Sequence, residues 1–323
     1  MSPRPDPVSF RAEGLLRALE PTAEALLNRH LGMTKEWFPH EFIPYGVGRD
    51  YETEPWTPDQ PRLGGVARVA FEVNLLTEDN LPSYHRLIHT FFGKGDGAWV
   101  NWANRWTAEE GRHAIVLRDY LVVTRNCDPV LLERARMQQV QTGYDHPTAD
   151  PLRQLAYVAF QELATRISHA NTGRFSDDPV ADRISERIAA DENLHMVFYR
   201  DAVAAALELD PSAAVKAVVA EVMDFQMPGG AIQNFARKAA QIARAGIYDL
   251  RVHHDEVVWP LLRYWKIFAI GSLDSEAERA REELAGFLSD LNRRASAFEE
   301  RRAGKDGEAA SQVRKDRLRA PAS

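Results

Sequence analysis

Trp106-Thr-Ala-Glu109-Glu110-Gly-Arg-His113 and Ala190-Asp191-Glu192-Asn-Leu-His195 are the two stretches on which the reading of this chain turns. Each carries Glu-x-x-His. On an α-helix three residues advance the chain by about 300°, so Glu110 and His113, and likewise Glu192 and His195, share one face about a turn apart. Such a pair can grip a single metal ion. One copy is weak evidence, because charged residues are common on helices. Two copies whose histidines stand 82 residues apart are much stronger. Each also has an upstream partner: Glu78 precedes Glu110 by 32 residues, and Glu162 precedes Glu192 by 30. A helix of about 25 residues and its connection carry the chain up one side of a bundle and back. Each lone glutamate can therefore face its own Glu-x-x-His.

One Glu from each of two helices, with Glu-x-x-His from each of two others, is the ligand set by which helical bundles hold two metal ions. Four carboxylates packed into a core without cations would each be strongly destabilising, and two divalent ions cancel that charge. Carboxylate and imidazole ligands without thiolate suit iron or manganese. Glu109 and Asp191, four residues before the same histidines, are alternative ligands or groups that orient an imidazole; the spacing favours Glu110 and Glu192. The other histidines (30, 40, 85, 89, 146, 169, 253 and 254) sit in no such pattern. His253-His254 reads as a solvated helix start, and His85 and His89 as surface residues.

Working outward, helical spacing of apolar residues begins at Glu13 with Leu15, Leu16, Leu19, Ala23, Leu26 and Leu27. Pro39, Pro44, Pro55, Pro58 and Pro61 mark an irregular stretch. Residues 66–92 read as a long helix broken or kinked at Pro82. Further helices are expected over 98–123, 129–141, 151–173, 178–208, 212–226, 229–246, 252–270 and 273–302. No strand alternation is evident. The domain expectation is a flexible arm over 1–12, one helical metal-binding domain over 13–302, and a polar, disordered tail over 303–323.

Composition limits what such a domain can do. The chain has 323 residues, 45% hydrophobic and 27% charged, which excludes wholesale disorder. Forty basic against 47 acidic residues give a net charge of −7, which argues against non-specific nucleic-acid binding. The body is more acidic still, because residues 301–323 carry seven basic and three acidic side chains. A lone cysteine, Cys127, makes no intramolecular disulfide and no thiolate cluster, so a cytoplasmic location is expected. No apolar stretch is long enough for a membrane span.

At these motifs the sequence resembles the soluble acyl-acyl carrier protein desaturases of plant plastids and actinobacteria. Leu76-Thr-Glu78-Asp-Asn-Leu-Pro82-Ser-Tyr84 is similar to the family's L/I-T-E-E-x-L-P-x-Y. Trp106 to His113 is similar to W-T-A-E-E-N-R-H. Phe160-Gln-Glu162-Leu-Ala-Thr165-Arg-Ile-Ser168-His-Ala-Asn171-Thr172 is similar to F-Q-E-R-A-T-x-I-S-H-x-N-T, and Ala190 to His195 to A-D-E-x-x-H. Shorter echoes follow at Ala243 to Tyr248 and Arg263 to Lys266. The resemblance runs from about Trp37 to Ala303, and helix amphipathicity alone does not demand such blocks.

The resemblance implies an all-α fold, a ferritin-like four-helix bundle core with additional peripheral helices, assembled as a homodimer. It implies two iron ions (Fe2+), with manganese as a substitute, held by Glu78, Glu110, His113, Glu162, Glu192 and His195. It implies an enzyme that uses O2 and two electrons from a ferredoxin-like donor to place a cis double bond in an acyl chain on acyl carrier protein. Thr165 matches a threonine on the oxygen-binding side of the iron pair; bonding of its hydroxyl to its own helix is the structural alternative. Trp37 and Asp191 match an electron path, and packing of Trp37 under the Pro-rich loop is the alternative. Gly111, Leu163 and Leu194 depart from the family pattern and leave chain length and double-bond position unassigned. Phe160, Met196 and Phe198 are candidate channel walls, with ordinary core the commoner reading, and Arg237, Lys238 and Arg244 a candidate patch for an acidic carrier, with solvated helix charge the commoner reading. Two readings share the ligand set: another di-iron oxygenase (a hydroxylase or N-oxygenase), or an inactive iron-binding paralogue. A radical-generating subunit would need a tyrosine beside the irons, for which Tyr84, Tyr157 and Tyr199 are candidates.

Overall fold

An Asp-Pro pair begins each of four consecutive helices. Asp128, Asp150, Asp178 and Asp210 are N-caps whose carboxylates accept from backbone N–H groups of the first turn, and the following proline occupies the position where no N–H is missed. Asp178, for example, accepts from Val180 N and Ala181 N at 2.9 Å each. This device sets the starting points of the helix that carries Glu162 and of the helix that carries Glu192 and His195.

The computed structural model describes residues 7–93, 96–144 and 150–319, with side chains over 14–93, 96–144 and 150–304. Residues 1–6 of the expected arm, His146 and Pro147, and residues 320–323 of the expected tail lie outside the described residues. The helices are α1 (Pro7–Met33), α2 (Gly65–Glu78), α3 (Leu81–Phe92), α4 (Ala98–Val123), α5 (Pro129–Thr142), α6 (Pro151–Ser176), α7 (Pro179–Leu209), α8 (Pro211–Asp224), α9 (Phe235–Arg244), α10 (Leu250–Val252), α11 (Trp259–Tyr264) and α12 (Ser275–Arg319). Among the described residues there is no strand, and no helix is long and apolar enough to cross a membrane.

Helices α2, α4, α7 and α6 touch in that cyclic order and form a four-helix bundle. Each lone-glutamate helix thus flanks its own Glu-x-x-His helix: α2 beside α4, and α6 beside α7. Helix α1 lies across α4 and α7, α8 and α12 cover the α6 side, and α9 packs on α2. The main apolar core, including Trp99, Trp102, Trp106, Phe160 and Phe198, joins α1, α4, α6, α7 and α8. A second cluster around Trp37, Phe71 and Tyr120 seats the irregular segment between α1 and α2 on the bundle.

The ends of several elements differ from the sequence reading. Helix α1 begins at Pro7 rather than Glu13, since proline suits a first turn. Helix α12 continues past Ala303 to Arg319, because Ala, Glu, Gln, Lys and Arg propagate a helix whatever their polarity. The break near Pro82 falls at Asp79-Asn80, directly after Glu78. Arg136 of α5 holds Asp79 through two hydrogen bonds of 2.6 and 2.8 Å, and the Tyr84 hydroxyl donates to the Thr77 carbonyl at 3.0 Å.

The expected helix over 252–270 is interrupted. Residues His253–Val258 are π-helical, with Trp259 N donating to the His254 carbonyl. Pro260 follows, and the wider turn accommodates the N–H it lacks. His253 is turned inward, not solvated. Its ring stacks on Phe225 at 5.0 Å, its Nδ1 lies 3.0 Å from the Tyr248 hydroxyl, and burial pushes its pKa down to about 4.

The cap geometry yields a first prediction. Asp128→Ala removes the acceptor for Val130 N and Leu131 N and should cost about 1 kcal/mol, a fall in Tm of roughly 2 °C, whereas Asp128→Asn should fall by less. Thermal melts followed by circular dichroism check this.

Candidate metal centre

Six side chains from four helices converge inside the bundle. Glu78 closes α2, Glu110 and His113 lie on α4, Glu162 on α6, and Glu192 and His195 on α7. All are buried; His113, Glu162 and His195 are 0% exposed. They form two overlapping groups, Glu78–Glu110–His113–Glu192 and Glu110–Glu162–Glu192–His195, each with its ligand atoms within 4.8 Å of one another. The imidazole centroids of His113 and His195 are 6.2 Å apart.

Glu110 and Glu192 belong to both groups, and their oxygens divide accordingly. Glu110 Oε1 lies 2.7 Å from His195 Nδ1, and Oε2 lies 3.2 Å from His113 Nδ1. Glu192 Oε1 lies 3.3 Å from His113 Nδ1, and Oε2 lies 3.9 Å from His195 Nδ1. Each carboxylate spans the two halves, as a bridging ligand would. Despite these approaches, Glu110 Oε1, Glu162 Oε2, both oxygens of Glu192 and the Nδ1 atoms of both histidines complete no hydrogen bond of good angle among the described residues. Buried polar atoms are almost always paired, so a converging set without partners fits a site for cations. All donors are oxygen or imidazole nitrogen, which suits iron or manganese.

The outer atoms of this set are restrained. Glu162 Oε1 accepts from Trp106 Nε1 at 2.9 Å, and Glu78 Oε1 lies 2.9 Å from His169 Nε2. Asp191 and Glu109 sit outside these two groups, Glu109 lying with His30 and His195 in a third cluster close enough to hold an ion, and each serves the opposite motif. Asp191 Oδ2 lies 3.4 Å from Nε2 of His113, and Glu109 Oε2 lies 3.0 Å from Nε2 of His195. Asp191 Oδ2 also accepts from Trp37 Nε1 at 2.7 Å and from Arg112 at 3.2 Å, and Arg187 pairs with its other oxygen. Burial would raise the Asp191 pKa, but His113 and then the Trp37 N–H hold it down to about 2. The Trp37 ring lies nearly parallel to His113, with centroids 6.3 Å apart.

A model of the fatty acid desaturase family matches residues 11–315. The chain belongs to the fatty acid desaturase family. This desaturase is 51% identical over 296 residues to a Mycobacterium tuberculosis protein named as acyl-acyl carrier protein desaturase DesA1, covering 88% of this chain and 87% of that one. It is 33% identical over 310 residues to the chloroplastic stearoyl-acyl carrier protein 9-desaturase 1 of Oryza sativa, covering 89% and 81%. The X-ray structure of DesA2 from M. tuberculosis matches with a TM-score of 0.66 at 28% identity, over 80% of this chain and 97% of that one.

Thr165 of the desaturase is buried on the wall of a cavity of about 100 Å³ shared with Glu78 and His169, and Val73, Met227, Phe235 and Ile242 complete its apolar side. Its hydroxyl donates to the Gln161 carbonyl of its own helix at 2.8 Å. Phe160 and Phe198 are core residues rather than channel walls: Phe160 packs edge-on to Trp265, and Phe198 stacks on Trp102 at 3.6 Å. His85 and His89 face α4, within hydrogen-bond reach of Thr107 and Asn104.

Sequence reading missed His30 and His169. Both continue a buried helix face: His30 follows Leu19, Ala23, Leu26 and Leu27 on α1, and His169 follows Glu162 and Thr165 on α6. A histidine at the end of an apolar stripe is the signal for His30, and a histidine about two helical turns beyond a candidate ligand glutamate is the signal for His169.

Protons compete with cations for this site. Burial opposes charge on His113 and His195, but the Glu110 charge and the surrounding carboxylates push both pKa values well above the usual imidazole value. Burial, then the charges of Glu110 and Glu162, pushes Glu192 up. Binding through these atoms must expel those protons, and each contributes about a ten-fold gain in affinity per pH unit while it is held in the free protein. Apparent affinity for Mn2+ should therefore rise more than ten-fold from pH 6 to pH 7, with proton release visible by calorimetry in buffers of different ionisation heat. A pH-independent affinity would contradict this.

Proposed function

We propose that this chain is an acyl-acyl carrier protein desaturase that converts –CH2–CH2– of a carrier-bound acyl chain to cis –CH=CH–. The balanced reaction consumes O2, two electrons and two protons and yields two waters. The reading is carried by the doubled Glu/Glu-x-x-His set with its two spanning carboxylates. Glu78, Glu110, His113, Glu162, Glu192 and His195 would hold two ferrous ions, for which manganese can substitute, and bound iron supplies the activation of dioxygen. The relatives' names support the acyl carrier substrate.

The protein's own residues do the rest. Asp191, hydrogen-bonded to Trp37 and close to His113, links the surface segment to the site and is the proposed entry for electrons from a ferredoxin-like donor. Thr165 gives up its helix bond to reach the cavity beside Glu78 during turnover. The acyl chain enters past Met227, which lines both the cavity at Glu78 and a larger one of about 550 Å³ bounded by Tyr144, Tyr157 and Phe225. Fixing one pair of methylenes in that passage selects the bond that reacts. Helix α9, which walls the inner cavity through Phe235 and Ile242, exposes Arg237 and Arg244 for an acidic carrier, while Lys238 is paired with Glu72 at 2.6 Å. The exposed apolar side chains Val130, Leu131, Met137 and Val140 on α5 support a homodimer, and the unbridged Cys127 supports a cytoplasmic location.

Reconstitution with Fe2+, ferredoxin and a panel of acyl carriers, followed by mass spectrometry, should give a product lighter by two hydrogens. A product heavier by one oxygen would make the chain a hydroxylase or N-oxygenase, and no product would make it an inactive paralogue. Met227→Trp should lower kcat/KM by about ten-fold or more while leaving metal stoichiometry unchanged.

A further inference from the structure

The two halves of the metal centre are built alike beyond the ligands. On one side Asp191 Oδ2 faces His113 Nε2 and the Trp37 N–H, and Arg187, four residues earlier, pairs with its other oxygen. On the other side Glu109 Oε2 lies 3.0 Å from His195 Nε2 and 2.8 Å from His30 Nε2, and Arg105, four residues earlier, pairs with Oε1 at 2.5 Å. His30 stacks near-parallel to His195 at 5.8 Å, as Trp37 does to His113. His30 therefore occupies on α1 the place that Trp37 occupies on the opposite side. It is 3% exposed, and Trp102 meets its ring edge-on at 5.0 Å.

We propose that His30 is a positioning residue for the metal centre: by donating from Nε2 to Glu109 it locks the carboxylate that fixes the ring and tautomer of His195, leaving His195 Nδ1 free for the ion. The inference rests on the two-ion reading above. A carboxylate behind a ligand imidazole typically changes metal affinity 10- to 100-fold. His30, Glu109 and His195 lie close enough to hold an ion, but Arg105 and two imidazoles already balance the Glu109 charge, so this cluster acts as a support and not as a third metal site. The arrangement assigns the ordering of one ion's ligand to α1, a helix outside the four that carry ligands.

Titration with Co2+, followed by its visible absorption, separates the possibilities. The unaltered protein should take two ions per chain. His30→Leu, which packs but donates nothing, should weaken one of the two by about ten-fold or more and leave the other unchanged, with an altered absorption envelope for the weakened ion. His30→Gln, whose amide can donate to Glu109, should restore affinity to within about three-fold. Should His30→Leu not fold, His30→Met, which likewise packs without donating, takes its place and must show the same one-ion loss. Two ions bound at unaltered affinity by His30→Leu would overturn the inference and leave the metal centre standing. Equal weakening of both ions, or a Gln variant as weak as Leu, would also overturn it. Fewer than two ions in the unaltered protein would sink the two-ion reading itself.

Discussion

Four buried carboxylates aimed at one another organise this molecule. Glu78, Glu110, Glu162 and Glu192 share a buried interior, and the imidazoles of His113 and His195 lie among them there. Such a cluster is strongly unfavourable unless cations or protons offset it. The surrounding hydrogen bonds do not relieve that repulsion; they hold the groups against it. Trp106 on Glu162, His169 on Glu78, Asp191 at His113 and Glu109 at His195 each fix an outer atom, so that the inner atoms remain aimed at the same space.

The same interactions couple distant parts of the chain. The carboxylate before each Glu-x-x-His glutamate reaches across to the other motif's histidine, so neither half of the centre is complete without the other. The irregular segment holding Trp37 and the outer helix α1 holding His30 are drawn onto the bundle by these crossed contacts. Asp-Pro caps start α6 and α7 at defined points, and the break after Glu78, clamped by Arg136, ends α2 at its ligand. Local backbone chemistry thus sets the height at which Glu78, Glu162, Glu192 and His195 enter the core.

Much of this was legible in sequence because helical periodicity and metal-ligand spacing are both local. Glu-x-x-His identifies a shared face without any knowledge of the fold, and the doubled interval to Glu78 and Glu162 identifies the bundle that must contain it. The all-helical class and most helix spans follow from the same periodicity. What was not legible depends on contacts between elements. The crossing of Glu109 to His195 and of Asp191 to His113 cannot be read from motifs in which each carboxylate stands four residues from its own histidine. His30, 79 residues from Glu109, carries no local mark beyond its place on a buried stripe. Channel wall and ordinary core could not be told apart at Phe160 and Phe198, because an apolar inward face reads the same whether it meets a cavity or a neighbour. The π-helical turn before Pro260 and the inward His253 escaped for a related reason: a proline marks a disturbance but not how the helix absorbs it.

The central claim is that Glu110 and Glu192 each span two cations. X-ray absorption on the Fe2+-loaded protein tests it most directly. An iron–iron scattering shell at about 3.5–4 Å, with oxygen and nitrogen neighbours only, is the result this geometry requires. An isolated iron with no second metal at that range, at full loading, would contradict it.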